Sequence, residues 1–110
     1  MGGIQKNVKS KRTKALDISP AVRKRVWHRD KECCIICGNP QAMPNSHYIR
    51  RSQGGLGIEE NVVTMCINCH NEYDNGSGNY REYIRQATED YLRSCYPEWD
   101  PEKLVYQKWK

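Results

Sequence analysis

The chain has 110 residues, with 18 Lys and Arg against 13 Asp and Glu, for a net charge of +5. That length argues against a two-domain enzyme, and no apolar run approaches the roughly 18 residues that span a bilayer. With 37% hydrophobic residues and no Phe, the core must be small and built from aliphatic residues, Tyr and Trp, so a staple such as a metal or disulfides is expected.

The first segment, MGGIQKNVKSKR, has no apolar stretch of the secretory kind, and Lys6 breaks the myristoylation pattern after Gly2. A soluble, cytoplasmic protein with reduced thiols is the expectation, with no membrane partner. There, paired cysteines favour metal over disulfide. Residues 1–30 hold nine cations and two anions, whereas residues 31–110 hold nine and eleven. A basic arm on a near-neutral body is an electrostatic footprint for nucleic acid, and equally the mark of a solvated tail. An anionic membrane is a weaker third choice, because the arm lacks an apolar face.

Residues 1–16, rich in Gly, Lys, Asn and Ser, read as a disordered basic arm, and residues 17–110 as one domain. Ser19-Pro20 is a helix start, and Ile18, Val22 and Val26 recur every four residues, so a helix is predicted over 20–29. Lys11, Arg12, Lys14, Arg23, Lys24 and Arg50 are the candidate phosphate contacts, with solubility as their bland alternative. Residues 31–65 read as strand and loop: a turn at 34–40, a strand at 46–49, a Gly-rich loop at 50–60 and a returning strand at 61–65. A helix follows over 66–74 and stops at Asn75-Gly76-Ser77-Gly78. Tyr80, Tyr83, Ile84, Ala87, Tyr91 and Cys95 mark one face of a further helix, and Asp100-Pro101 opens a last short one through Trp109. The fold class is α+β, with no βαβ alternation.

The strongest signal is the pair Cys34-x-x-Cys37 and Cys66-x-x-Cys69. Each such turn places two sulfurs on one side of a tight loop, and four thiolates suit a tetrahedral structural Zn²⁺. The intervening 28 residues exceed the about 15–20 of a plain zinc ribbon, so the metal scaffolds something inserted between the turns. Buried free thiols or redox chemistry is the alternative. Cys33 and Cys95 are surplus and read as small core residues.

Between and beside these turns stand His47, Asn61 and His70. The run 26–76, with Arg29-Asp30, His47-Tyr48-Ile49, Arg51-Ser52-Gln53-Gly54-Gly55, Asn61-Val62-Val63 and Cys66-x-x-Cys69-His70, resembles the HNH nucleases. The resemblance covers about half the chain. It implies a small zinc-stabilised ββα-metal (HNH) fold with an N-terminal helix and C-terminal helices. The function it implies is a metal-dependent endonuclease that hydrolyses DNA phosphodiester bonds with low sequence preference, of the kind found in phage genomes.

Carried over by residue, the resemblance makes His47 the general base, Asn61 the residue that fixes the hairpin, and Arg51 the group that neutralises the phosphate. His70 becomes a ligand of a second divalent cation (Mg²⁺, Mn²⁺, Ni²⁺ or Zn²⁺), with Asp74 one helical turn on. Many members carry Asp or His just before the base, whereas this chain has Ser46, a weak neutral ligand. Either His70 and Asp74 suffice with the phosphate, or Ser46 or a water completes the set, or the site is degenerate. The first is favoured, because Asp74 supplies the missing charge. Two other classes compete with the enzyme. One is a non-catalytic zinc-stabilised module that binds nucleic acid. The other is a zinc protein that docks a partner through Tyr91, Tyr96, Trp99, Tyr106 and Trp109.

Overall fold

The computed structural model describes residues 10–107. Trp109 and the first nine residues of the basic arm lie outside them. Six residues of the segment read as part of that arm form α1 (Lys11–Leu16), where the Ser10 hydroxyl accepts from the Thr13 N–H and Leu16 is buried. The helix is held by non-local contacts that periodicity does not reveal. Ala15 C=O accepts from Gly57 N–H at 3.0 Å, and a Cβ on Gly57 would stand 2.1 Å from the Asp17 carbonyl oxygen. Only glycine allows that approach.

Helix α2 (Pro20–Arg29) starts at Ser19, whose hydroxyl accepts from Val22 N–H, and buries Val22 and Val26. Strands β1 (Ala42–His47) and β2 (Val62–Cys66) form a two-stranded antiparallel sheet. Ala42 pairs with Cys66 and His47 with Val62, and the register shifts between Met43 and Ser46. Pro44 falls inside that bulge, where its missing N–H costs no ladder bond. The first strand therefore begins four residues before the expected 46–49. It also ends earlier, because Tyr48 N–H and Ile49 N–H turn to the backbone and side chain of Asn61.

All five residues of β2 are buried. Helix α3 (Ile67–Asn75) follows directly, and α4 (Asn79–Cys95) packs beside it. On α4 the buried row is Ile84, Thr88 and Leu92, whereas Tyr80 and Tyr83 are exposed. The expected apolar face is thus rotated. Thr88 can be buried because its hydroxyl donates to the Ile84 carbonyl at 2.7 Å. The last helix is a single 3-10 turn, Pro101–Leu104. Its residue Leu104, with Trp99 stacked edge-on to Tyr48 at 5.5 Å, closes the core.

The molecule is a small α+β unit built on one hairpin. No helix among the described residues is long and apolar enough to cross a membrane.

Candidate metal centre and the adjoining histidine cleft

The turn after α2 brings Cys34 and Cys37 together. Gly38 N–H donates to Cys34 C=O at 2.9 Å, with Gly38 in the left-handed region at φ 80°. The second turn is the start of α3, where Cys66 is the capping residue. Hairpin register joins the two turns, because β2 ends at Cys66 and Ile35 N–H donates to the carbonyl of Thr64 on the same strand at 3.0 Å. The four Sγ atoms of Cys34, Cys37, Cys66 and Cys69 all lie within 4.8 Å of one another.

Backbone amides turn toward these sulfurs. Ile36 N–H donates to Cys34 Sγ at 3.4 Å and Cys69 N–H to Cys66 Sγ at 3.5 Å. Burial pushes the Cys34 thiol up, but amides at Cys37, Cys66 and Ile36 pull it further down, to about 7. Burial, and then the neighbouring Cys66 and Cys34 sulfurs, push the Cys69 thiol up. Four sulfurs this close cannot all ionise against one another. A cation among them removes that conflict. The donor set therefore fits a metal.

Cys33 is outside this cluster and reaches the Asp30 carbonyl at 3.6 Å. Cys95 is half-buried and unpaired by disulfide. Among the described residues, the four cysteines are the one cluster of three or more His, Cys, Asp or Glu donors that could hold an ion. The expected second set does not form one. His70 Nε2 lies 3.1 Å from Asp74 Oδ2, one helical turn apart on α3. Ser46 is 1% exposed, and its hydroxyl lies 2.7 Å from His70 Nδ1, so it supports the imidazole instead of facing solvent.

His70 and Asp74 border an open cleft of about 900 Å³, lined also by His47, Arg23, Arg50 and Arg51 among others. His47 Nε2–H donates to the Leu16 carbonyl at 3.0 Å, since a carbonyl can only accept. Burial holds this imidazole below its ordinary value, against the pull of that hydrogen bond. Arg51 pairs with Asp17 at 3.0 Å, and Arg50 donates to the Tyr73 and Asp74 carbonyls. Arg23 lines the cleft from α2, whereas Lys11, Arg12, Lys14 and Lys24 are exposed on the two N-terminal helices.

Asn61 is fully buried, and its carboxamide is spent on backbone: it accepts from Ile49 N–H and donates to the Ile49 and Leu56 carbonyls. Sequence reasoning missed Arg81, which stands beside the cleft and donates to the Tyr73 carbonyl at 2.9 Å. It also missed Tyr80, whose hydroxyl lies 4.0 Å from Cys69 Sγ. For Tyr80 the signal was its place just after the turn that ends α3. For Arg81 there was none, because its partner is a carbonyl.

No family model matches the chain. It is 31% identical over 55 residues to anaredoxin from Nostoc sp. (strain PCC 7120 / SAG 25.82 / UTEX 2576), a match that takes 49% of this chain and 72% of anaredoxin. That relative bears the name of a redox protein, not of a phosphodiester hydrolase. The finding overturns the expected metal-dependent endonuclease with His47 as general base, and with it the terms hydrolase, nuclease and HNH. Spacing alone did not separate the two readings, because the same pair of cysteine turns can brace a zinc fold or hold a redox metal. The chain belongs to the family of anaredoxin.

Proposed function

We propose that the chain is a small tetrathiolate metalloprotein that carries single electrons through one iron ion held by Cys34, Cys37, Cys66 and Cys69. The observation that carries the proposal is the convergence of four sulfurs within 4.8 Å of one another. A tetrahedral ion with metal–sulfur bonds of about 2.3 Å spaces its sulfurs roughly 3.8 Å apart, and Cys37 Sγ and Cys66 Sγ are 3.5 Å apart. A bridged cluster would interpose further iron and sulfide between the thiolates, so a single ion suits this spacing better. Tetrahedral S₄ sites take zinc or iron. Zinc has no redox chemistry, and the relative's name favours iron.

Iron supplies one-electron chemistry when bound. The chain supplies the rest. Amides of Ile36 and Cys69 donate to thiolate sulfur, which favours the state with more negative charge and raises the potential. Cys37 is the exposed member of the set and offers the shortest way to a partner. The test is anaerobic isolation followed by metal analysis and reductive titration. About one iron per chain, with visible absorption that bleaches and returns, supports the reading. Zinc alone, with no reversible absorption, overturns it.

The histidine cleft favours a second reading, binding of a DNA backbone without cleavage. Arg23, Arg50 and Arg51 line it together with two imidazoles. The imidazoles are those of His47 and His70, and His70 Nε2 lies 3.1 Å from Asp74 Oδ2. Anisotropy of labelled duplex DNA across a salt series tests this. Binding that weakens steeply with salt supports it, and no binding at low salt overturns it.

A further inference from the structure

The carbonyl oxygen of Tyr73, near the end of α3, accepts from two guanidinium groups. Arg50 Nη2 lies 3.2 Å from it and Arg81 Nε 2.9 Å. Two hydrogen bonds of this length on one oxygen hold the donor nitrogens no more than about 6 Å apart. Among the described residues neither arginine pairs with a carboxylate, unlike Arg25 with Glu59, Arg51 with Asp17 and Arg93 with Glu89. The helix-end carbonyls offset only part of two full charges. Both terminal nitrogens of Arg81 and the Nη1 of Arg50 have no protein partner among the described residues. Between these groups lies a recess of about 200 Å³, lined also by Tyr48, Gln53, Tyr73 and Arg85. The nearby carboxylates, Glu82 and Glu89, both pair with Arg85.

We propose that the recess between Arg50 and Arg81 binds a phosphate group. Planar guanidinium forks match the oxygens of phosphate and pair with it through two parallel hydrogen bonds. The Arg81 plane is held over the Tyr73 ring at 5.5 Å, which orients the fork before any ligand arrives. Arg50 lines both this recess and the larger histidine cleft. Arg50 thus stands between the two surfaces, and successive phosphates of one nucleic-acid strand can occupy them. This extension rests on the second reading above. The phosphate chemistry is shared by the free ion and by a phosphodiester.

The test uses the full chain and its Arg81→Gln and Lys103→Gln variants, which lose the same charge at the recess and on the 3-10 turn Pro101–Leu104, where Lys103 lines a different recess. Circular dichroism melting confirms that both fold. One arm titrates inorganic phosphate, and the other follows labelled duplex DNA across a salt series. Arg81→Gln is expected to weaken binding and to lower the slope of log affinity against log salt by about 1, with Lys103→Gln unchanged. A response in the DNA arm alone identifies the backbone as the source. A response in the phosphate arm alone identifies the free ion, and if the parent chain ignores DNA only the second reading falls. Equal behaviour of the two variants in both arms overturns the phosphate site.

Discussion

Asn61 grips the backbone of Ile49 at both ends of its carboxamide, accepting from the N–H at 2.8 Å and donating to the carbonyl at 3.2 Å. A third bond, to the Leu56 carbonyl at 2.8 Å, ties the Gly-rich loop to the same side chain. Ile49 lies two residues past the end of β1, so the clamp sets where the strand ends and where His47 sits. Asn61→Ala strands three backbone groups that the buried carboxamide satisfies. The expected loss is about 2–4 kcal/mol, measured by urea denaturation. A loss under about 1 kcal/mol would mean that water replaces the carboxamide.

Arg29 and Asp30 form a second buried knot. Asp30, 4% exposed, accepts from Arg29 Nε at 2.7 Å, Tyr91 hydroxyl at 2.6 Å and Thr64 N–H at 2.8 Å. Arg29 also donates to the Glu59 and Val62 carbonyls. Burial alone would lower the guanidinium's proton affinity, yet Asp30 and then Tyr96 raise it. Asp30→Ala leaves that cation in a low-dielectric site without its counter-charge. Removing one partner of a buried pair costs about 3–5 kcal/mol, and thermal melts of the variant check it.

How far the sequence spoke depended on range. Ser19-Pro20 placed the start of α2 correctly, because a cap and its first turn are contiguous. Cys34, Cys37, Cys66 and Cys69 were legible as one set for the same reason, each pair sharing a turn. The bounds of β1 were not legible, since they follow from a bulge at Pro44 and from Asn61 across the loop. Tyr80 and Tyr83 read as core but are exposed, because α4 buries the row Ile84, Thr88, Leu92 and hides a threonine hydroxyl by back-bonding. The Arg29–Asp30 knot depends on partners about 30 or more residues away, where no periodicity points. Function was the least legible, because a frame and a cysteine set are shared by proteins with different chemistry.

His47 gives the fold a pH dependence of defined sign. Burial holds the folded imidazole below its ordinary 6.5, while the Leu16 carbonyl opposes that shift. The unfolded chain therefore binds more protons than the folded one as the pH falls below 6.5. This contribution to stability is whole above that value and shrinks as the pH drops toward the folded value. In His47→Gln the amide can still donate to Leu16 but does not titrate. The stability difference between parent and variant is expected to shift against the parent between pH 7 and pH 5, as read from urea midpoints at each pH. A constant difference would contradict the buried neutral imidazole.

Metal removal should distinguish the four clustered cysteines from their neighbour Cys33. The tetrathiolate links the turn after α2 to the start of α3, so it closes the open end of the hairpin. Without an ion the four sulfurs must share protons in a crowded site, where burial already pushes Cys69 up. Cys34→Ser removes a ligand that is 2% exposed, and its expected cost is several kcal/mol, because metal binding energy is folding energy in so small a domain. Cys33→Ser touches only a 3.6 Å contact to the Asp30 carbonyl and should cost about 1 kcal/mol or less. A strong chelator should bring the parent and Cys33→Ser proteins down to the melting point of Cys34→Ser. If the chelated parent still melts well above that variant, the four sulfurs are packing groups and the ion does not hold the hairpin closed.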